Sequence, residues 1–125
     1  MSRTERTSAW ERLLGEPIAA VAPARIIDGS AYRGTVVLTD SRLVVIRSAP
    51  GRPPRTPRGL TRRLRIQFRR SNLTELVPAQ QWPGGYDIRY YDGIDEGEER
   101  KFRIKPGPDD NGLVARLEED LSGSA

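Results

Sequence analysis

The chain has 125 residues, 36% hydrophobic and 30% charged, with a net charge of +4. That is one domain's worth of sequence with material for a modest core, and no run approaches the ~18 apolar residues of a membrane span. Histidine and cysteine are both absent, which excludes disulfides, thiolate or imidazole metal sites, and the usual Ser–His and Cys–His nucleophile pairs. Carboxylates, tyrosines, Lys101 and Lys105 remain for chemistry, and none falls in a catalytic motif. A non-enzymatic protein without a cofactor is expected. The opening MSRTERTSAWERLLGE lacks an apolar h-region, so a cytoplasmic location is the default.

The first expected element is a short helix, with Ser8 and Glu11 in the S-x-x-E spacing of a capping box and a stop at Gly15 and Pro17. Its Trp10, Leu13 and Leu14 should dock on the body of the domain. Residues 18–27 read as a first strand, with Pro23 marking an edge or bulge. Residues 34–39 (GTVVLT) and 42–47 (RLVVIR) flank the two-residue turn Asp40-Ser41 and read as a hairpin, with Val36 and Leu38 on one face of the first arm and Leu43 and Val45 on one face of the second. Residues 48–62 are read as a long connection rich in Arg and Pro. Leu64, Ile66 and Phe68 then alternate with Arg63, Arg65, Gln67 and Arg69, which is a half-buried strand with a basic outer face. A short strand at Leu73–Val77 follows. Residues 86–91 and 100–105 form a second hairpin around the acidic turn DGIDEGEE. A helix opening at Pro108 carries the apolar stripe Leu113, Val114, Leu117 and Leu121. One domain over 1–125 is expected, loose at 1–7 and 122–125.

Charge is unevenly placed. Residues 41–74 hold ten arginines and no acid, whereas Asp92 to Asp120 holds ten acids and five bases. Such asymmetry shapes the field around a protein more than its total charge does. Nineteen arginines against two lysines, with abundant Gly, Pro and Ala, is also the usage of a GC-rich genome. Arginine content alone therefore does not identify a nucleic-acid binder.

About seven strands followed by one amphipathic helix is an α+β arrangement. The stretches LLGEPI, YRGTVVLTDSRLVVI and LRIQFRRSNLTELV resemble the bacterial pleckstrin-homology-like and GRAM-like domains. Gly34, Thr39, Asp40, Arg42 and Leu43 stand in the family's strand–turn–strand pattern, and Phe102 in its late hairpin. The similarity spans roughly residues 12–121. It implies a partly open barrel of about seven antiparallel strands, capped by the C-terminal helix and preceded by a short N-terminal helix. In the lipid-binding branch, basic residues on the loop between the first two strands hold phosphates. The corresponding loop here is read as 28–33, with Arg33 its single base and Arg25 just before it.

The family is a binding module, and arginine's planar fork suits phosphate and carboxylate alike. The expected function is engagement of an anionic surface, either acidic lipid head groups or an acidic protein partner. Arg52, Arg55, Arg58, Arg62, Arg63 and Arg33 are the candidate residues. The Arg-rich connection and the acidic turn (Asp92, Asp95, Glu96, Glu98, Glu99) should emerge at one end of the barrel, where they would partly neutralise each other at about 0–1 kcal/mol per exposed pair. The alternative is a protein–protein scaffold or self-associating homo-oligomer, with Trp10, Trp82 and Tyr91 as interface candidates. Nucleic acid ranks third, because the basic segment carries one aromatic, Phe68, and no recognition motif.

Overall fold

The structure is a computed structural model and describes residues 3–47, 52–93, 97–108 and 110–123. Helix α1 (Arg3–Leu14) precedes strands β1 (Ile18–Asp28), β2 (Ser30–Thr39) and β3 (Arg42–Ile46). Helix α2 (Pro57–Arg63) leads directly into β4 (Leu64–Arg69). Strands β5 (Leu73–Pro78), β6 (Tyr86–Asp92) and β7 (Glu98–Pro106) follow, and helix α3 (Leu113–Gly123) closes the chain. The strands form one antiparallel sheet in the order β4-β3-β2-β1-β7-β6-β5.

The sheet curls onto itself around its inward-facing side chains. Strands β4 and β6 stand five places apart in the strand order, with β3, β2, β1 and β7 between them. Yet Phe68 of β4 stacks on Tyr90 of β6 at 4.2 Å, and Phe102 of β7 meets both rings edge-on. Such geometries add to the area the rings bury. Strands β4 and β5 do not pair, so the barrel stays open along that seam. The inner residues of β1 are Ala20, Ala22, Ala24 and Ile26, and the small side chains leave room for α3. Leu113 and Leu117 enter the core there, with Leu121 half-buried beside them.

The β2–β3 hairpin is apolar on both faces. Val36, Leu38, Leu43 and Val45 point into the barrel, while Val37, Val44 and Ile46 point outward into a second cluster with Trp10 and Leu14 of α1. Runs such as VVL and LVVI are continuous rather than alternating, as a strand covered on both sides requires. The pattern's Gly34 has a steric reason, since a Cβ there would lie 2.3 Å from the Ile46 carbonyl oxygen. Thr39 closes the turn: its hydroxyl accepts from the Arg42 amide at 3.0 Å and donates to the Arg42 carbonyl at 3.2 Å.

Four expectations need correction. Helix α1 begins at Arg3, so Ser8 is helix interior and the S-x-x-E spacing caps nothing. The segment 28–33 is not a loop: Asp28 pairs with Ser30 around Gly29 alone (φ 74°), and Arg33 is a strand residue directly opposite Arg25. The C-terminal helix opens at Leu113, not at Pro108. Asp110 caps it, its carboxylate accepting from the amides of Gly112 at 3.0 Å and Val114 at 3.4 Å. The connection read as 48–62 also carries α2, and its residues 48–51 lie outside the described residues.

Tyr32 of β2 packs against the core with its hydroxyl buried, unpartnered among the described residues, and Arg47 lies over its ring at 5.6 Å. Burial first, and the Asp28 carboxylate second, push its pKa up to about 12.

Two measurements follow. Trp10→Ala should cost about 3–5 kcal/mol in chemical denaturation, while Ser8→Ala should stay within about 0.5 kcal/mol, where a true N-cap would lose ~1 kcal/mol. Tyr32→Phe should not lower Tm at neutral pH, because it removes a hydroxyl with no partner. The unfolded phenol ionises near 10 while the folded one keeps its proton to about 12. Stability therefore falls as pH rises between those values, and the variant should lose that part of the fall.

Candidate anion-binding surface

Two populations of arginine contrast in their partners, one tied to carboxylates and one not. Arg42 is structural: its Nε donates to Glu16 at 2.7 Å, one terminal nitrogen to Gln67 at 2.6 Å, and the other to the Leu14 carbonyl at 2.7 Å. It thereby ties the end of α1 to β3 and β4. Glu16 also accepts from the Ser41 hydroxyl, and that bond first, with Arg42 contributing, holds its carboxyl below the usual range against the opposing effect of burial. Arg70 grips Asp120 of α3 with two nitrogens at 2.7 and 2.8 Å and the Thr39 carbonyl at 3.0 Å. The bond to Asp120 raises its pKa, outweighing burial. Bidentate pairing of this kind fixes geometry as well as charge.

The hairpin β6–β7 and its neighbour β5 pair their own charges. Arg89 bridges Glu75 and Glu99, Arg100 binds Asp92 at 2.7 Å with Glu98 near it, and Arg103 binds Asp87 at 2.6 Å. The described acids of the acidic turn are thus taken by bases on their own hairpin rather than by the Arg-rich connection. Asp95 and Glu96 lie outside the described residues.

The second population is the Arg-rich connection. Among the described residues, no ion pair reaches Arg52, Arg55, Arg58, Arg62 or Arg63, and all five are exposed. They are nevertheless held in place. Thr56 caps α2, its hydroxyl accepting from the Gly59 amide at 3.1 Å, and Pro57 occupies the first helical turn, where a missing N–H costs nothing. Leu60 and Leu64, four residues apart, pack on the outer cluster of Trp10, Val44 and Ile46. Arg58 and Arg62, also four apart, fall on another side of the helix and are exposed. Arg65 donates to the carbonyls of Arg62 and Leu64 at the helix C-terminus, both at 3.2 Å. Arg52, Arg55 and Arg63 line a shallow groove of about 310 Å³ floored by Pro53, Pro54 and Gly59.

The remaining candidates lie elsewhere. Arg33 stands on β2 beside Arg25, lining a different groove with Lys105. Trp10 is fully buried under α1. Trp82, in the β5–β6 turn, is half-buried, with Lys105 Nζ 5.9 Å from its ring centroid. Tyr91 is 43% exposed on β6. The sequence reading missed α2, whose signal was Thr56-Pro57 ahead of Leu60 and Leu64. It also missed the alignment of Arg25 with Lys105, which depends on strand register. No group of three or more metal-ligating side chains occurs among the described residues, and none of their helices is long and apolar enough to cross a membrane.

No protein-family profile and no curated protein matches the chain. Solved structures do. The PDZ-RhoGEF DH/PH domains in complex with GTP-γ-S activated RhoA align with a TM-score of 0.61 at 12% identity, over 95% of this chain and 37% of that one. The chain thus spans just over a third of that protein's length. The Slm1-PH domain in complex with D-myo-inositol-4-phosphate aligns at 0.51 and 9% identity, over 82% of this chain and 91% of that one. The C-terminal domain of an unknown protein from Leishmania infantum aligns at 0.55 and 10% identity, over 94% and 96%. With the seven-stranded open barrel and its C-terminal helix, these alignments show that the chain has the pleckstrin-homology-like fold.

Proposed function

We propose that this chain is a non-enzymatic binding module that engages acidic lipid head groups at the cytoplasmic face of a membrane through Arg52, Arg55, Arg58, Arg62 and Arg63. The observation that carries this reading is the sorting of charge. Arg42, Arg70, Arg89, Arg100 and Arg103 meet carboxylates, while these five cluster on an anchored, exposed connection with no carboxylate partner among the described residues. Each base near an anionic surface contributes about 1 kcal/mol, so the affinity must come from several acting together. The Slm1-PH domain, similar in fold, was solved with an inositol phosphate, which supports a phosphate-bearing ligand. An acidic protein surface is the second reading, supported by the similar DH/PH structure solved with RhoA.

Co-sedimentation with vesicles tests the reading. Binding should require anionic lipid and fall as salt rises. Arg52→Ser, Arg55→Ser and Arg58→Ser together should weaken it by about a hundredfold, three bases at ~1 kcal/mol each. Absence of sedimentation at low salt would remove the membrane reading and leave the protein partner.

A further inference from the structure

The sheet ends at β4, and the far side of that strand is unpaired among the described residues. Register decides which main-chain groups face it. The Arg70 amide donates to the Ser41 carbonyl at 2.9 Å, and the ladder continues with Arg42 opposite Arg69, Leu43 opposite Phe68, Val44 opposite Gln67 and Val45 opposite Ile66. Hydrogen-bonded and non-bonded pairs alternate along an antiparallel ladder. Phe68 and Ile66 therefore turn their amides and carbonyls toward β3. Gln67 turns its amide and carbonyl, and Arg69 its amide, to the open side. An edge with free main-chain groups is a template for another strand.

Two hollows give that edge room. One, of about 460 Å³, runs along Arg65, Ile66 and Gln67, and the other, of about 330 Å³, along Gln67, Phe68 and Arg69. They share Gln67, and both reach the end of the β6–β7 hairpin, at Asp92 in the first and Gly93 in the second. The side chains of β4 alternate across the edge. Ile66 and Phe68 are buried in the barrel, while Arg65, Gln67 and Arg69 are exposed on the outward face. Among the described residues no carboxylate pairs with Arg65 or Arg69. Glu16, which lines the second hollow, is already held by Arg42 and Ser41. The first hollow carries Asp28 and the Asp92–Arg100 ion pair, charges of both signs that favour neutral groups beside them.

We infer that the free edge of β4 accepts an extended acidic segment of a partner protein as an added strand. Main-chain bonds to Gln67 and to the Arg69 amide hold the segment in register. Two carboxylates four residues apart then stand opposite Arg65 and Arg69 on the outward face, with a neutral residue opposite Gln67 and neutral residues on the inward side. Opposite charges directly across a strand pair stabilise it, and like charges destabilise it. The same rule bars a second copy of this chain: antiparallel pairing of two β4 strands centred on Gln67 would set Arg65 against Arg69 twice. The edge uses none of the five arginines assigned to the membrane face, so it stands or falls separately from that reading.

The experiment is an amide-resolved NMR titration of the whole chain, with hydrogen exchange, using a capped heptapeptide. The peptide has glutamate at its second and sixth positions, threonine at its fourth and serine elsewhere. A version with lysine for glutamate and a version N-methylated at the fourth position serve as comparisons. Saturable shifts along β4, with the Gln67 and Arg69 amides gaining protection, support the added strand. Binding should weaken about tenfold in Arg65→Ser/Arg69→Ser and persist in the Arg52/Arg55/Arg58→Ser variant. The charge-reversed Arg65→Glu/Arg69→Glu variant should prefer the lysine peptide, which separates lost recognition from lost folding. Undiminished binding of the N-methylated peptide would show charge attraction without strand pairing and overturn the inference. Equal binding of the lysine peptide by the parent chain, shifts confined to 52–63, no saturable shift, or protection of the Gln67 and Arg69 amides that rises with protein concentration alone would overturn it too.

Discussion

The rest of the structure depends on a β2–β3 hairpin that is apolar on both faces. A hairpin of that kind needs two covers, because either face left in water would expose several branched side chains at about 25 cal/mol per Å². The inward face is covered when the sheet curls and brings Phe68, Tyr90 and Phe102 together beneath it. The outward face is covered by Trp10 and Leu14 from one direction and by Leu60 and Leu64 from another. That second layer joins architecture to function. The apolar need that docks α1 also seats α2, and α2 and the turn before it carry arginines that would otherwise hang on an unanchored connection.

Charge placement follows from the same frame. Arg42 and Arg70 work as ties: Arg42 links α1 to the sheet through Glu16, and Arg70 links α3 to the β2–β3 turn through Asp120. The exposed pairs on β5, β6 and β7 are worth little energetically. Their consequence is one of placement: the described acids of that region meet Arg89, Arg100 and Arg103, and no ion pair among the described residues reaches Arg52, Arg55, Arg58, Arg62 or Arg63.

Much of this was legible in the sequence where period and turn chemistry agree. The alternation of Leu64, Ile66 and Phe68 gave β4, the Thr39–Arg42 turn gave the first hairpin, and the Leu113–Leu117–Leu121 stripe gave α3. Legibility failed where a local motif is ambiguous or where the answer is set by distant pairing. S-x-x-E is as compatible with a helix interior as with a cap, so Ser8 misplaced the start of α1. The Pro-rich stretch concealed α2, because Pro57 was read as a breaker when, after Thr56, it is a first-turn residue. Arg33 was placed in a loop because nothing local announces that Gly29 alone makes the turn. The row it forms with Arg25 and Lys105 depends on a register shared by three strands, and composition is silent about register.

The central claim is that the anchored arginines of α2 and the turn before it form the face that meets an anionic surface. The most direct test is an amide-resolved NMR titration of the chain with bicelles, neutral or doped with an acidic lipid. The account predicts that acidic bicelles broaden or shift the amides from Arg52 to Arg65, while those of α3 and of the paired β5–β6–β7 face stay unchanged. Perturbations centred on the paired face, with residues 52–65 silent, would contradict it.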